Sequence, residues 1–181
     1  DRKNLFFNPI RSKKERFSSS IFFAHLDNYH LAVTSGIDFN FFCTLSSNNL
    51  FVRNADMEIL EKETPFLSPA PSMFSLGDTD MWMCEEFIKN EKLVDIFMAE
   101  EIAVKICPHP GAYYRKDIIK FMYDFCREKG IEKSIFTNDI FGAEEVMFPS
   151  LEKYATGMVS KRFAACLYNM NRKDIDDVLE K

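Results

Sequence analysis

No apolar run in these 181 residues approaches the roughly 20 needed to span a bilayer. No leader of the secretory kind opens the chain either, because Asp1-Arg2-Lys3 runs into a mixed segment. Methionine is missing from the first position, so the sequence is expected to be a piece of a longer chain. There is no C-x-x-C pair: Cys43, Cys84, Cys107, Cys126 and Cys166 lie far apart, mostly among apolar neighbours, and their odd number argues against a disulfide framework. N-x-S/T sites are also missing. A reducing, cytoplasmic location is the expectation. His25, His30 and His109 share no metal-ligand spacing with the cysteines, which argues against zinc. Repeats and low-complexity tracts do not occur.

What the chain does have is apolar bulk. With 46% hydrophobic and 14% aromatic residues, 19 of them phenylalanine, it can build one core over residues 1–181, the phenylalanines reading as core filling. The formal charge of −5 is unevenly spread. Residues 1–20 hold six bases, Arg2, Lys3, Arg11, Lys13, Lys14 and Arg16, against Asp1 and Glu15, whereas residues 56–101 hold twelve acids against Lys62, Lys89 and Lys92. The acidic middle would repel nucleic acid, so no nucleic-acid partner is expected. The basic segment is a solvated face or a peripheral membrane contact.

Hydrophobic spacing supplies the organisation. Ser18, Ser19 and Ser20 offer N-cap side chains before an amphipathic helix with Phe22, Leu26, Tyr29 and Val33 on one stripe and Gly36 as its stop. An aromatic strand, 39–45, follows within a few residues, a helix-to-strand step that builds α/β layers. Residues 64–80 hold Pro65, Pro69 and Pro71 and read as a long irregular loop suited to binding substrate. A short helix is predicted within 81–97 and a strand at 102–107, IAVKIC. A second amphipathic helix spans 115–129, with Ile118, Met122 and Phe125 on its stripe, Asp117 in its first turn and Gly130 closing it. Residues 144–154 read as a helix that Pro149 should kink unless it falls near the first turn, and Asn171 can cap a last helix.

The strand 39–45 stops at four small polar residues, Ser46, Ser47, Asn48 and Asn49, before Leu50-Phe51-Val52 resumes. Ligands of α/β domains sit beyond the carboxyl ends of strands, so the cluster is a candidate substrate site, the alternative being an ordinary loop.

In this order, the aromatic strand ending in LSSNNLFVR, the acidic stretch, GAYYRKDIIKFM and GAEEVMFPSL resemble the core-2/I-branching type of glycosyltransferase (β-N-acetylglucosaminyltransferase-like) and its bacterial relatives. The resemblance covers roughly residues 17–155. Its better half is Gly111-Ala112-Tyr113-Tyr114 before a long helix and the acidic pair Glu144-Glu145 opening another. Departures fall in the first half: Ser47 stands for the family's glycine, Asn49 for its acid, and no proline follows. The resemblance implies an α/β nucleotide-diphospho-sugar transferase (GT-A-like) domain whose N-terminal nucleotide-binding strands precede Asp1. It implies inverting transfer of a sugar from a nucleotide-sugar co-substrate to a glycan or glycolipid acceptor, as in polysaccharide biosynthesis, with no metal and no further cofactor. Glu145, the second acid, corresponds to the general base.

Chemistry gives the same residues work to do. A sugar hydroxyl is a weak nucleophile at neutral pH and needs a carboxylate to take its proton. Adjacent carboxylates raise each other's proton affinity while a helix N-terminus lowers it; the structural alternative is that Glu144 and Glu145 only complement the helix dipole. The leaving diphosphate needs fixed cations where no carboxylate can hold a metal, and Arg172 and Lys173 are the nearest candidates, unless they are merely solvated. His109, Tyr113 and Arg115 could line a sugar pocket. Trp82 could stack on a sugar or be buried in the core.

Two rivals stand beside enzymatic transfer. One is a non-catalytic α/β interaction module that binds a basic partner through the acidic middle region. The other is a hydrolase using the acidic pair, disfavoured because neighbouring helix residues point apart.

Overall fold

The computed structural model describes residues 8–9, 19–44, 50–51, 82–107, 112–136, 142–157, 159 and 166–167. The loop at 64–80 and the helix after Asn171 therefore lie outside the described residues. The architecture is mixed α/β and mostly helical.

Helix α1 (Ser20–Thr34) buries Phe22, Leu26 and Tyr29 as its spacing predicts, but the stripe ends a turn early, because Val33 is 47% exposed. Ser19 makes no side-chain cap and is buried, so packing and not capping fixes this start. The helix ends in paired bonds, Gly36 N–H to the Val33 carbonyl and Ile37 N–H to that of Ala32, with Gly36 at φ +68. This arrangement needs a left-handed residue followed by an apolar one.

Strand β1 (Phe41–Cys43) is shorter than the predicted 39–45 and pairs antiparallel with β3 (Tyr113–Arg115), Phe41 opposite Arg115 and Cys43 opposite Tyr113. Thr44 extends the contact: its N–H and hydroxyl both donate to the Ala112 carbonyl, at 2.9 and 3.1 Å. Leu50–Phe51 (β2) pairs antiparallel with Cys166–Leu167 (β4).

The single helix expected within 81–97 is two, α2 (Trp82–Ile88) and α3 (Glu91–Ala99). Asn90 breaks it. Its side-chain amide takes the Glu86 carbonyl at 2.8 Å, which its own N–H would hold in a continuous helix, and that N–H goes to Phe87 instead. The bend brings Phe87 edge-on to Phe97, centroids 5.1 Å apart. Helix α3 ends in the same paired bonds as α1, Glu101 N–H to Met98 and Ile102 N–H to Phe97, with Glu101 left-handed at φ +55.

Helix α4 (Lys116–Glu128) buries Ile119, Met122, Phe125 and Cys126, with Ile118 half-buried, and ends the same way at Gly130 and Ile131. A 3-10 turn (Lys133–Ile135) leads on, and α5 (Ala143–Thr156) carries Pro149 in its interior. Residues 146–152 of α5 are all buried. Phe148 is central, edge-on to Phe22 at 4.9 Å and stacked on Tyr114 at 5.4 Å.

The predicted strand 102–107 does not form as a strand. Ile102, Val104 and Ile106 are buried while Ala103 is exposed and Lys105 half-buried, the alternation of an extended segment. Ile106 makes an isolated β-bridge, and three hydrogen bonds tie the segment to helix α5. Lys105 N–H donates to Ser150 Oγ at 2.8 Å, that hydroxyl donates to the Lys105 carbonyl at 3.2 Å, and Cys107 N–H donates to the Glu145 carbonyl at 2.9 Å. Alternation reports which side chains enter the core and says nothing about what meets the backbone edge.

Candidate active site at the start of α5

The chain enters α5 through Gly142 in the left-handed conformation, φ +66. A Cβ on Gly142 would meet Glu145 Oε2 at 3.4 Å and Met83 Sδ at 3.5 Å, in ordinary van der Waals contact, which places the Glu145 carboxyl and α2 beside this turn. The Glu145 side chain therefore folds back over the turn beside α2. Its N–H donates to the Gly142 carbonyl at 2.8 Å. Glycine is needed here for its positive φ.

The two acids differ. Glu144 is half-buried, but its Oε2 is shut away from solvent with no hydrogen-bond partner among the described residues. Burial pushes its carboxyl up to about 7, a hydrogen bond from its own backbone N–H opposes the rise, and the charge of Glu145 adds to it. Such a group exchanges a proton near neutral pH. The sequence pointed to Glu145 as the base, and nothing in it marked Glu144 as the buried member.

The other expected site residues scatter. Tyr113 is in the core, 1% exposed and edge-on to Phe41 at 5.9 Å. Arg115 is exposed and sits at the end of the β1–β3 ladder away from Thr44 and Ala112. Its guanidinium forks onto Asp117, with Nε to Oδ1 at 3.0 Å, which holds that carboxyl below its usual range. Trp82 opens α2, one residue from Met83. Ser46, Ser47, Asn48, Asn49, His109, Arg172 and Lys173 lie outside the described residues, flanked in sequence by Thr44, Cys107, Ala112 and Cys166–Leu167.

Behind the acidic pair lies a polar spot the sequence did not announce. Burial raises the Tyr114 phenol well above its ordinary value, and the nearby Glu152, 5% exposed, adds to the rise, as do Cys107 and Cys43. The signal available was Glu152 itself, two turns after Glu145 on the same helix. Among the described residues no group of three His, Cys, Asp or Glu could hold a metal ion, and no helix is long and apolar enough to cross a membrane. A separate cavity of about 540 Å³ lies between α1 and α4, lined by Phe23, Leu26, Asp27, Tyr123 and Arg127 among others, and neither acid reaches it.

Compared with known proteins, the chain matches no protein-family model, no curated protein and no solved structure.

Proposed function

We propose that this chain is part of an inverting glycosyltransferase with a GT-A-like fold, moving a sugar from a nucleotide-sugar to a glycan or glycolipid acceptor. The carrying observation is the Gly142 turn that sets two carboxyls side by side at the start of α5, one closed to water and one folded over the turn. Glu145 takes the proton of the acceptor hydroxyl as that oxygen attacks the anomeric carbon and the nucleoside diphosphate leaves. Glu144 shares the local charge: protonated, it spares Glu145 a like-charged neighbour, and ionised, it raises the proton affinity of Glu145. The resemblance of GAYYRKDIIKFM and GAEEVMFPSL to core-2 type enzymes supports the assignment of the second acid as base. Arg172 and Lys173 remain the proposed partners of the leaving diphosphate, without a metal.

The deciding measurement is transfer from a panel of nucleotide-sugars by the intact chain and by its Glu145→Gln variant. Selective loss in the variant supports the reading, and equal turnover removes it. A second reading, docking of a basic partner, is favoured by α2 and α3, where Glu85, Glu91 and Asp95 are exposed beside Ile88 (54% exposed) and Met98 (73% exposed). Salt-sensitive binding of a basic peptide, unchanged by Glu145→Gln but lost on reversing these acids, would favour it.

A further inference from the structure

In an α-helix each carbonyl accepts the N–H four residues on. Proline has no N–H, so Pro149 deprives the Glu145 carbonyl of its donor. A buried carbonyl left in that state costs about 1–3 kcal/mol. The Cys107 N–H fills the vacancy at 2.9 Å. One turn further along, Ser150, fully buried, clamps both backbone groups of Lys105 with its hydroxyl. Lys105 and Cys107 are two apart, so their N–H groups leave the same edge of the extended segment. A helix flank ordinarily offers no free backbone acceptor to such an edge. Here the proline supplies one and the serine side chain supplies the next.

We propose that Pro149 and Ser150 are positioning residues, which turn one flank of α5 into a docking edge for residues 102–107 and thereby hold the Glu144–Glu145 turn against Cys107. The proposal rests on the reading of that pair as the reactive one, but its mechanical content stands on the hydrogen bonds. Proline inside a helix is a costly choice, roughly 3 kcal/mol against alanine in an unsupported helix interior. The bond from Cys107 gives the vacated carbonyl a use. The consequence for the pair is direct, because the bonded carbonyl belongs to Glu145 itself and Glu144 precedes it. Of the charged groups around Glu144, Glu145 is the one whose field bears on it.

The test is amide exchange and carboxyl titration by NMR on the intact chain, with Pro149→Ala, Ser150→Ala and Ser150→Thr. In Pro149→Ala the restored helical N–H competes for the Glu145 carbonyl, and exchange at Cys107 should speed up roughly tenfold. Ser150→Ala should do the same at Lys105, while Ser150→Thr, which keeps the hydroxyl, should not. In both alanine variants the Glu144 midpoint should fall from about 7 toward the ordinary carboxylate range, and Ser150→Thr should restore it. Amides of α4 serve as the folding control. Unchanged Cys107 exchange in Pro149→Ala overturns the role of the proline; opened amides with an unmoved Glu144 midpoint overturn the positioning role altogether. If Pro149→Ala does not fold, the two serine variants decide alone. Since no readout is activity, failure of the chain to transfer sugar would count against the proposed function and leave this result standing.

Discussion

Helices α4 and α5 have nearly the same length, 13 and 14 residues, and each opens with acid and closes near a left-handed glycine. Their middles differ. Helix α4 follows the ordinary rules: one buried stripe, an exposed face with the Lys120–Asp124 pair, and its first-turn acid, Asp117, bound to Arg115. Helix α5 breaks several. It holds a proline, a serine and a glutamate among its buried residues, and a first-turn carboxyl with one oxygen that finds no hydrogen-bond partner among the described residues. Among the described residues, the carbonyl vacated by Pro149 and the Ser150 hydroxyl are met by residues 102–107, whereas Glu144 Oε2 has no hydrogen-bond partner. Departures from local preference that neighbours compensate belong to stability; one left uncompensated is where function is to be sought.

The comparison can be broken first at the two helix starts. Glu145→Gln should lower sugar-transfer turnover on the order of 10² to 10⁴ with substrate affinity largely kept, as for loss of a general base. Asp117→Asn at the start of α4 removes an equally acidic first-turn charge and should leave turnover unchanged. Steady-state kinetics on both variants would show it, and comparable losses would mean that first-turn charge as such is at work.

The helix middles come next. Phe148→Ala should destabilise the domain by about 3–5 kcal/mol in urea unfolding, since the ring is fully buried against Phe22 and Tyr114. Ile118→Ala, half-buried on α4, should cost well under half of that.

A subtler difference is pH dependence. The Glu144 carboxyl binds its proton near 4.5 when unfolded and near 7 when folded, so the folded state holds the extra proton between those values. Its contribution is full below about pH 4.5 and disappears as pH rises through about 7. Glu144→Gln should therefore be more stable than the parent at pH 8, by on the order of 2 kcal/mol, and indistinguishable near pH 4. Asp117, whose carboxyl is held low by Arg115, has the opposite sign, its stabilisation present at neutral pH and lost on acidification.

The smallest effect should be shared. Gly130→Ala and Gly157→Ala both place a Cβ in open space but at positive φ, so each should cost about 1 kcal/mol from the backbone alone. Equal thermal shifts would confine the contrast between the two helices to their starts and middles.

How much of this was legible follows from what a pattern can encode. α1 and α4 were readable because a 3.6-residue stripe and a terminal glycine are local signals; even so, the exposed Val33 depends on where the neighbouring layer ends. The break at Asn90 was not readable, because it depends on one side chain taking the Glu86 carbonyl. Residues 102–107 were read as alternating or running apolar like a strand; the alternation is there but no regular strand forms beyond an isolated bridge at Ile106, since alternation is a property of side chains and pairing one of the backbone edge. The acidic pair stood out in the sequence, but which acid is buried is decided by tertiary packing. Pro149 was visible as a defect, and its remedy lay some forty residues earlier.

The partners of α1 and β1 carry a consequence for how the chain is made. Phe22 meets Phe148, Tyr29 meets Tyr123, and β1 finds its ladder in Tyr113–Arg115, so these early elements pack on residues synthesised much later. During synthesis the Phe22 end of α1 cannot gain its Phe148 contact until residue 148 has emerged, whereas Tyr29 can meet Phe39 and Phe42 soon after α1 is made. At ~5–20 residues per second that interval lasts several seconds or more, long compared with the microseconds in which a helix forms. The amphipathic stripe that makes α1 easy to read thus makes it a site for chaperone capture during synthesis. Among the described residues, its Phe22 end is covered from the C-terminal side by the proline-bearing helix.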